Sequence, residues 1–230
     1  MTIKVTAALA VSASLILAAC GGGGSNSPVT ETPQFAVNAA QRQFLTGAGS
    51  WSLNGAANGQ AFTINLTHEA LPAGVFAVTG ATAARSRQTV TLLQAGVTTD
   101  TNAVTYYFDG VNLSMLGSDN GDTTCSVATG STALPATAAV GATGAMYADT
   151  DLTGCSSGAA TAGTTQTTWS LEPDSGVVLL CWNQTARDMA GAVLGQLSTC
   201  IETSSAGVLS SKARVTVTVP GFPVVIARNF

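Results

Sequence analysis

The side chains that could support catalysis are few, and a single histidine limits the choice. His68 follows a strand-like run and precedes Glu69, so any Ser-His-acid mechanism in this chain depends on it. Gly154–Gly158 matches G-x-S-x-G, the nucleophile elbow, which requires a strand before the serine and a helix after it. Here the motif opens a stretch rich in Gly, Ala and Thr, and the histidine precedes the serine. We therefore predict no catalytic residue and keep a hydrolase that uses His68 as an alternative.

Two groups of carboxylates could bind a cation. Asp119 and Asp122 flank an Asn-Gly pair, a composition typical of turns. Asp149 and Asp151, followed by Gly154, begin like a calcium-binding loop but lack its terminal glutamate. We interpret both groups as exposed turn carboxylates and keep Asp149 and Asp151 as weak calcium candidates. No pattern in the chain predicts a cofactor.

Aromatic residues could form a platform on which a sugar stacks. On a strand, Tyr106 and Phe108 would face one way and Tyr107 the other, and core packing is expected for the first two. The tryptophans are likewise expected to be core anchors. A glycan-binding or adhesin-like surface therefore stands as an alternative to a plain structural or binding module. The three tryptophans are Trp51, Trp169 and Trp182.

The beginning of the chain has the layout of a secretory signal. An apolar run from Val5 to Leu17 follows one lysine, and it is shorter than the roughly 20 residues of a membrane-spanning helix. The run ends in Leu17-Ala18-Ala19-Cys20, which resembles the lipobox of bacterial lipoproteins. The resemblance implies cleavage before Cys20 and a diacylglycerol on its thiol. Two or three acyl chains anchor a protein stably in a membrane.

These features divide the chain into a lipoprotein signal peptide over 1–19, a tether over 20–32 and a β-rich domain over 33–230. The tether is rich in Gly and Ser, a composition that stays flexible and cannot build a core. In lipoproteins that this pattern resembles, an acidic residue directly after the lipidated cysteine favours the inner membrane. Gly21 is not acidic, so the resemblance implies the outer membrane of a bacterial cell envelope.

The composition excludes some partners. Charged residues make up 9 % of the chain against a typical ~25 %, and the net charge is −4 without a basic patch. Nucleic-acid binding therefore lacks its electrostatic basis. Hydrophobic residues make up 46 % of the chain, which argues against a disordered domain. The partners that remain are the membrane, through the lipid, and an envelope protein or a glycan.

Four cysteines follow Cys20, and an even number in an exported chain predicts two disulfides. Three pairings are available. We favour Cys125–Cys155 with Cys181–Cys200, because each bond joins neighbours in the sequence. Zinc is disfavoured, because it would require closely spaced cysteine pairs and nearby histidines.

Alternation of apolar and polar residues dominates the rest of the chain and predicts strands. We therefore expect an all-β fold, either an antiparallel two-sheet sandwich or a partly open barrel, with two disulfides in its C-terminal half. Five dipeptides predict turns between strands. They are Asn54-Gly55, Asn58-Gly59, Asp109-Gly110, Asn120-Gly121 and Ser175-Gly176.

Evidence for other elements is limited. A short helix is predicted over Asn38–Leu45 with Asn38 as its cap, and Ala186–Leu197 could form a few helical turns despite two glycines. Two low-complexity stretches, Ala128–Ala145 and Ser156–Thr168, are predicted to be loops.

An internal similarity suggests a duplication. Trp51-Ser52-Leu53 recurs as Trp169-Ser170-Leu171, and an Asn-x-Thr follows each tryptophan at the same spacing. This similarity predicts two related β-units over 44–120 and 162–230. Equivalent positions of the two tryptophans would support the duplication.

Overall fold

A computed structural model describes residues 32–121 and 124–230. The signal peptide, Cys20 and nearly all of the tether lie outside these ranges, and so does Asp122. Within them the chain forms one helix, α1 (Val37–Thr46), and fourteen strands. The strands are β1 (Gln34–Phe35), β2 (Gly49–Ala57), β3 (Gln60–Val75), β4 (Thr82–Gln94), β5 (Val97–Phe108), β6 (Met115–Asp119), β7 (Cys125–Thr129), β8 (Ala138–Ala139), β9 (Thr143–Leu152), β10 (Thr161–Asp174), β11 (Val177–Asp188), β12 (Val193–Thr203), β13 (Leu209–Thr218) and β14 (Val225–Arg228).

Twelve of these strands form a closed antiparallel barrel. Neighbours along the chain pair with each other from β2 to β14, except that β7 pairs with β9, while β1 and β8 form a separate two-stranded sheet. The ring closes where β14 pairs with β2. The prediction of an all-β fold is confirmed. The sandwich and the partly open barrel are both wrong, because this last pairing leaves the barrel without an edge strand.

The predicted alternation is confirmed in the strands that surround the core. Phe62, Ile64 and Leu66 are buried inside the barrel, and Thr63 and Asn65 between them face outwards. Because only one face of each strand needs apolar residues, Thr and Ser suffice on the outer face. This explains how a barrel forms from a chain so poor in charge.

Three two-residue hairpin tips have positive φ at both central residues, as a type I′ turn requires. Asn and Gly accept this conformation easily, whereas alanine does so only with strain. Two of the three tips were predicted, and the third was not because its first residue is an alanine. The tips are Asn58-Gly59, Ser175-Gly176 and Ala95-Gly96.

Two other predicted turns differ from the structure. Gly55 lies within β2 at the closure of the barrel, where an added Cβ would meet the Phe62 ring at 2.4 Å and the Ile226 carbonyl oxygen at 2.6 Å. Asp109 begins a longer loop between β5 and β6, and its carboxylate accepts hydrogen bonds from the backbone N–H groups of Val111 and Asn112. The glycine is needed for close packing, and the aspartate organises a loop that is longer than the predicted two-residue turn.

The second predicted helix is wrong. Ala186–Leu197 forms the tip of the β11–β12 hairpin, where the Asp188 carboxylate accepts hydrogen bonds from the N–H groups of Ala190 and Ala192. Cross-strand pairing overrides the weak helical propensity of this stretch. The loop predicted over Ser156–Thr168 is also wrong from Thr161 onwards, where β10 begins and pairs with β9 and β11.

Helix α1 confirms the first helix prediction and lies across one end of the barrel. It begins after Ala36, so Asn38 is not its cap and instead donates to the Leu134 carbonyl at 3.2 Å. Arg42 donates to the Val111 carbonyl at 2.9 Å, and the Gln43 side-chain oxygen accepts the Leu209 N–H at 2.9 Å. These bonds join α1 to two loops and to the start of β13 at the same end, and the helix therefore acts as a plug.

The duplication stays a prediction. Both tryptophans lie on the first strand of a hairpin and both are buried. However, Trp51 pairs with Leu66 on β3, whereas Trp169 pairs with Trp182 on β11. When the two segments are aligned on their tryptophans, these two partners are offset from each other by two residues.

Candidate functional site

The inside of the barrel has two unlike halves. The strands from β12 through β14 to β4 supply mainly apolar residues to the core, including Leu53, Leu66 and Val215. The strands from β5 to β11, the polar half, supply apolar residues such as Leu171 and Leu180 near α1, and hydroxyl, amide and carboxyl groups towards the other end. Because an interior without a function is usually filled by apolar side chains, the polar half is the candidate functional site.

The polar half encloses a chamber of about 220 Å³. It reaches the turn between β6 and β7, at the end opposite α1, since successive antiparallel strands reverse direction. The walls are largely hydrophilic, and the apolar surface comes from two tyrosine rings, Met115 and Val104. The side chains that matter for its chemistry are Tyr106, Ser126, Tyr147, Asp149, Asp151, Thr165 and Gln184.

Asp149 and Asp151 both face this chamber from β9, so they are not exposed turn carboxylates as predicted. The cause is that β9 continues straight through them and pairs with β7 and β10 on either side. Asp151 accepts hydrogen bonds from the hydroxyls of Ser126 at 2.8 Å and Thr165 at 2.9 Å. Asp149 is 8 % exposed, and its carboxylate accepts no hydrogen bond from any residue in the described ranges.

The environment shifts the acidity of these groups. Burial, together with the negative charge of Asp151, raises the pKa of Asp149 to about 7. Burial and the Asp149 carboxylate raise the pKa of Tyr106 to about 12, and the pKa of Tyr147 is raised for the same reasons. At neutral pH the tyrosines therefore stay protonated and can donate, while Asp149 lies near its midpoint between the acid and the carboxylate.

A smaller hollow of about 40 Å³ continues from the chamber towards α1. It shares Tyr106, Tyr147 and Gln184 with the chamber, and its other walls are largely apolar. Gln41 of α1 is 2 % exposed on this wall, and its side-chain oxygen has no hydrogen-bond partner among the described residues. The site as a whole thus has a polar mouth and a mainly apolar floor.

His68 lies outside the chamber, in the core next to the plug helix. Its ring stacks on Phe44 with centroids 4.2 Å apart, and it is 2 % exposed. Burial lowers its pKa to about 4, which the Leu45 backbone offsets only in part. Neither ring nitrogen makes a hydrogen bond of normal geometry to the described residues, although Ser50 and Ser210 line a hollow beside it. The structure therefore places no nucleophile or acid in contact with His68.

The G-x-S-x-G segment lies between two strands, so it lacks the helix that a nucleophile elbow requires. Cys155 within it is bonded to Cys125, which fixes the loop to the outside of the barrel wall. The segment is a connecting loop, as its composition predicted.

Both favoured disulfides are confirmed, Cys125–Cys155 and Cys181–Cys200. The second joins directly opposed residues of β11 and β12 on the outer face. Arg214 lies over it, with a nitrogen 3.3 Å from the Cys200 sulfur.

Arg214 also forms ion pairs, with Glu172 at 2.5 Å and with Asp174 at 2.7 Å. In the described ranges, the only three metal-ligand side chains close enough to share an ion are Glu172 and the two bonded cysteines beneath it. Because the disulfide occupies both sulfur atoms, this cluster is not a metal site. Among the described residues, no third His, Cys, Asp or Glu side chain lies close enough to Asp149 and Asp151 to share an ion with them. Calcium at these two aspartates stays a prediction.

The aromatic residues divide as alternation predicted. Tyr106 faces the interior and Tyr107 the exterior, where its hydroxyl donates to Asp119 at 2.6 Å. Two of the tryptophans, Trp51 and Trp169, are buried, and the third lines the small hollow. Sequence reasoning missed Tyr147, although its spacing of two residues from Asp149 already placed both on one face of a strand.

No family model matches this chain, and neither the curated proteins nor the solved structures include a significant match. Within residues 32–121 and 124–230, no helix combines the length and the apolar character that a bilayer crossing needs. The case for a function therefore depends on the chamber itself.

Proposed function

We propose that this protein is a non-catalytic binding module of the bacterial cell envelope, held by a lipid on Cys20, whose barrel accepts a small molecule in the chamber. One observation carries the proposal. Asp149 is buried and faces an internal space without a hydrogen bond from the described residues. A buried carboxylate in this state lowers stability, so a purely structural role gives no reason for it.

The contrast between the two halves of the barrel supports the same conclusion. Leu53 and Leu66 show that this chain can fill much of a barrel interior with apolar residues. The polar half does so only near α1, with residues such as Leu171, and further along it presents several hydroxyl and amide groups around a continuous space. Ligand sites are typically concave, mostly preformed and supplied with a few converging polar groups.

Two observations support the envelope location. Cys20 follows the lipobox-like sequence, although it lies outside the described residues. The two disulfides join cysteines of a domain that must fold in an oxidising compartment, as the periplasm and the cell surface are. The outer membrane remains the proposed site because Gly21 is not acidic.

The alternatives have less support. A hydrolase would need a hydroxyl or carboxyl partner for His68, and neither of its ring nitrogens is hydrogen-bonded to such a group among the described residues. A glycan platform of tryptophans would need exposed rings, but Trp51 and Trp169 are only 6 % and 5 % exposed.

The anchor is tested by metabolic labelling with radioactive palmitate in a bacterial host. We expect label in the wild-type protein and none in Cys20→Ala, with the wild type in the membrane fraction and the variant released. Equal labelling of both proteins would contradict lipidation at this cysteine.

Binding in the chamber is tested by native mass spectrometry after incubation of the protein with a small-molecule extract of bacterial envelopes. Thr165 faces the chamber and Thr164 faces solvent on the same strand. Thr165→Phe should therefore block the chamber, while Thr164→Phe is the matched control. We expect a bound mass in the wild type and the control only. The absence of any bound mass, or equal binding in all three proteins, would overturn the proposal.

A further inference from the structure

The charges of the chamber are uncompensated. Two carboxylates face it, yet neither a lysine nor an arginine is among its lining residues. Every ion pair in the described ranges lies elsewhere, on the outer wall or at hairpin surfaces. An anionic ligand would therefore meet repulsion without a compensating contact, whereas a cation would meet an unpaired negative charge.

The two carboxylates have different roles. Asp151 uses one oxygen for Ser126 and the other for Thr165, and these bonds hold it in place. Asp149 has no such contact in the described chain, so both of its oxygens remain to accept hydrogen bonds from a ligand. This makes Asp149 the group that recognises a ligand and Asp151 the neighbour that increases the local negative potential.

The surrounding walls favour an organic cation over a metal ion. Calcium takes six to eight oxygen ligands, whereas the chamber offers two carboxylates, one of which already accepts a hydroxyl hydrogen bond on each oxygen. Tyr106 and Tyr147 instead provide aromatic rings beside Asp149, and such rings attract ammonium groups. Below them the floor offers apolar contact with Trp182 and an unpaired acceptor on Gln41.

We propose that the chamber selects small organic amines, with the ammonium group bound to the Asp149 carboxylate and a short apolar or aromatic body directed towards the plug helix. This inference rests on the proposed function, because it names the class of ligand for the same chamber. An amine supplies what each wall lacks: a positive charge and N–H donors at the mouth and apolar surface at the floor.

The proposal implies a dependence on pH. The groups that face Asp149 are Asp151 and the tyrosines Tyr106 and Tyr147, with neutral Ser126 and Thr165 beside them. Among these, Asp149 has its pKa near 7 and therefore changes its charge in the physiological range. Binding of an amine should weaken by up to about tenfold per pH unit below this value, because the neutral acid does not attract a cation.

The experiment compares three probes of similar shape by isothermal titration calorimetry at pH 8: phenethylamine, 3-phenyl-1-propanol and 3-phenylpropionate. The proteins are the wild type, Asp149→Asn and Asp100→Asn, the last of which removes an exposed carboxylate on β5. We expect the affinity for the amine to be at least about tenfold higher than that for the alcohol, and we expect no binding of the acid. Asp149→Asn should lose this preference, and Asp100→Asn should keep it.

The outcomes separate this inference from the proposed function. Equal binding of amine and alcohol, abolished by Thr165→Phe, would overturn the selection of amines but leave the chamber as a binding site. No binding of any probe, together with no bound mass from envelope extract, would overturn both. Binding of calcium that depends on Asp149 would replace the organic amine with a metal ion. If Asp149→Asn does not fold, as circular dichroism would show, the ratio of amine to alcohol affinity in the wild type decides.

Discussion

Asp149 should make the stability of the folded protein fall as pH rises from about 4 to about 7. Its pKa is raised to about 7 in the folded chain from an ordinary value of 3.8. Below both values the group is protonated in the folded and unfolded chains, and it has no effect on stability. As pH rises, the unfolded chain loses its proton first, which favours unfolding until the folded chain also ionises.

The size of this effect follows from the two pKa values. Their difference of about three pKa units, at ~1.4 kcal/mol each, gives an upper limit of about 4 kcal/mol in the free energy of unfolding. The limit is an upper one because the chamber opens to solvent, which reduces the cost of the charge. Asp149→Asn removes the charge with little change in shape. We therefore expect the variant to match the wild type at pH 4 and to exceed its stability by about 2–4 kcal/mol at pH 8.

The assay is urea unfolding at a series of pH values between 4 and 8, followed by tryptophan fluorescence with the disulfides intact. Asp100→Asn is the control, because it removes the same charge from an exposed position on β5. Because Asp100 is exposed, this variant should differ from the wild type by no more than about 0.5 kcal/mol at any pH in the series. A difference between Asp149→Asn and the wild type that is constant across the range, or a variant less stable than the wild type at pH 8, would refute the reasoning.

Three further predictions use the same unfolding assay. Because the pKa of His68 is lowered to about 4, the wild type should lose stability as pH falls from 6.5 to about 4. His68→Phe should recover up to about 3 kcal/mol in the free energy of unfolding at pH 4 and match the wild type above pH 7. No recovery at pH 4 would contradict this. The double variant Cys181→Ala with Cys200→Ala removes a bond that spans 19 residues and should lower the free energy of unfolding by about 3 kcal/mol. Reductant also breaks Cys125–Cys155 and should therefore destabilise the wild type by more than this. Ala95 has φ of 49° in a type I′ turn, so Ala95→Asn should raise the free energy of unfolding by about 0.5 kcal/mol. A lower free energy of unfolding in this variant would show that the turn is not strained.

Local pattern predicted the strands well because each barrel strand has one buried face. In runs such as Phe62–Leu66, alternate residues are apolar, and the structure buries those residues. The turn at Asn58-Gly59 was equally predictable because its residues suit positive φ. Ala186–Leu197 was misassigned because glycines and small residues leave a weak local preference there, which strand pairing decides.

Closure of the barrel could not be predicted from sequence. It depends on the pairing of β14 with β2, which joins Ala227 to Gly55 and Arg228 to Asn54, residues far apart in the chain. Gly55 looked like a turn residue because it follows an asparagine. Its real role, leaving space for the Phe62 ring and the β14 backbone, appears only when the two strands are side by side.

The candidate site was visible in part. Asp149 and Asp151 stood out as spaced carboxylates, but Ala148 and Thr150 on the other face of β9 are small and not clearly apolar, so the sequence did not show which face points inwards. Ser126 and Thr165, which hold Asp151, come from two other strands. Their meeting is a consequence of strand register, and no local signal marks it.

The stability of the barrel and the selection of its ligand depend on the same group. Asp149 destabilises the folded protein most above pH 7, where its carboxylate is charged and accepts no hydrogen bond from the described chain. A bound amine would pair with that charge and stabilise the folded state in proportion to its occupancy. Phenethylamine should therefore raise the unfolding temperature of the wild type more at pH 8 than at pH 5, whereas Asp149→Asn should show no such difference. A thermal shift that is equal at both pH values in the wild type would separate the two effects and remove the link between them.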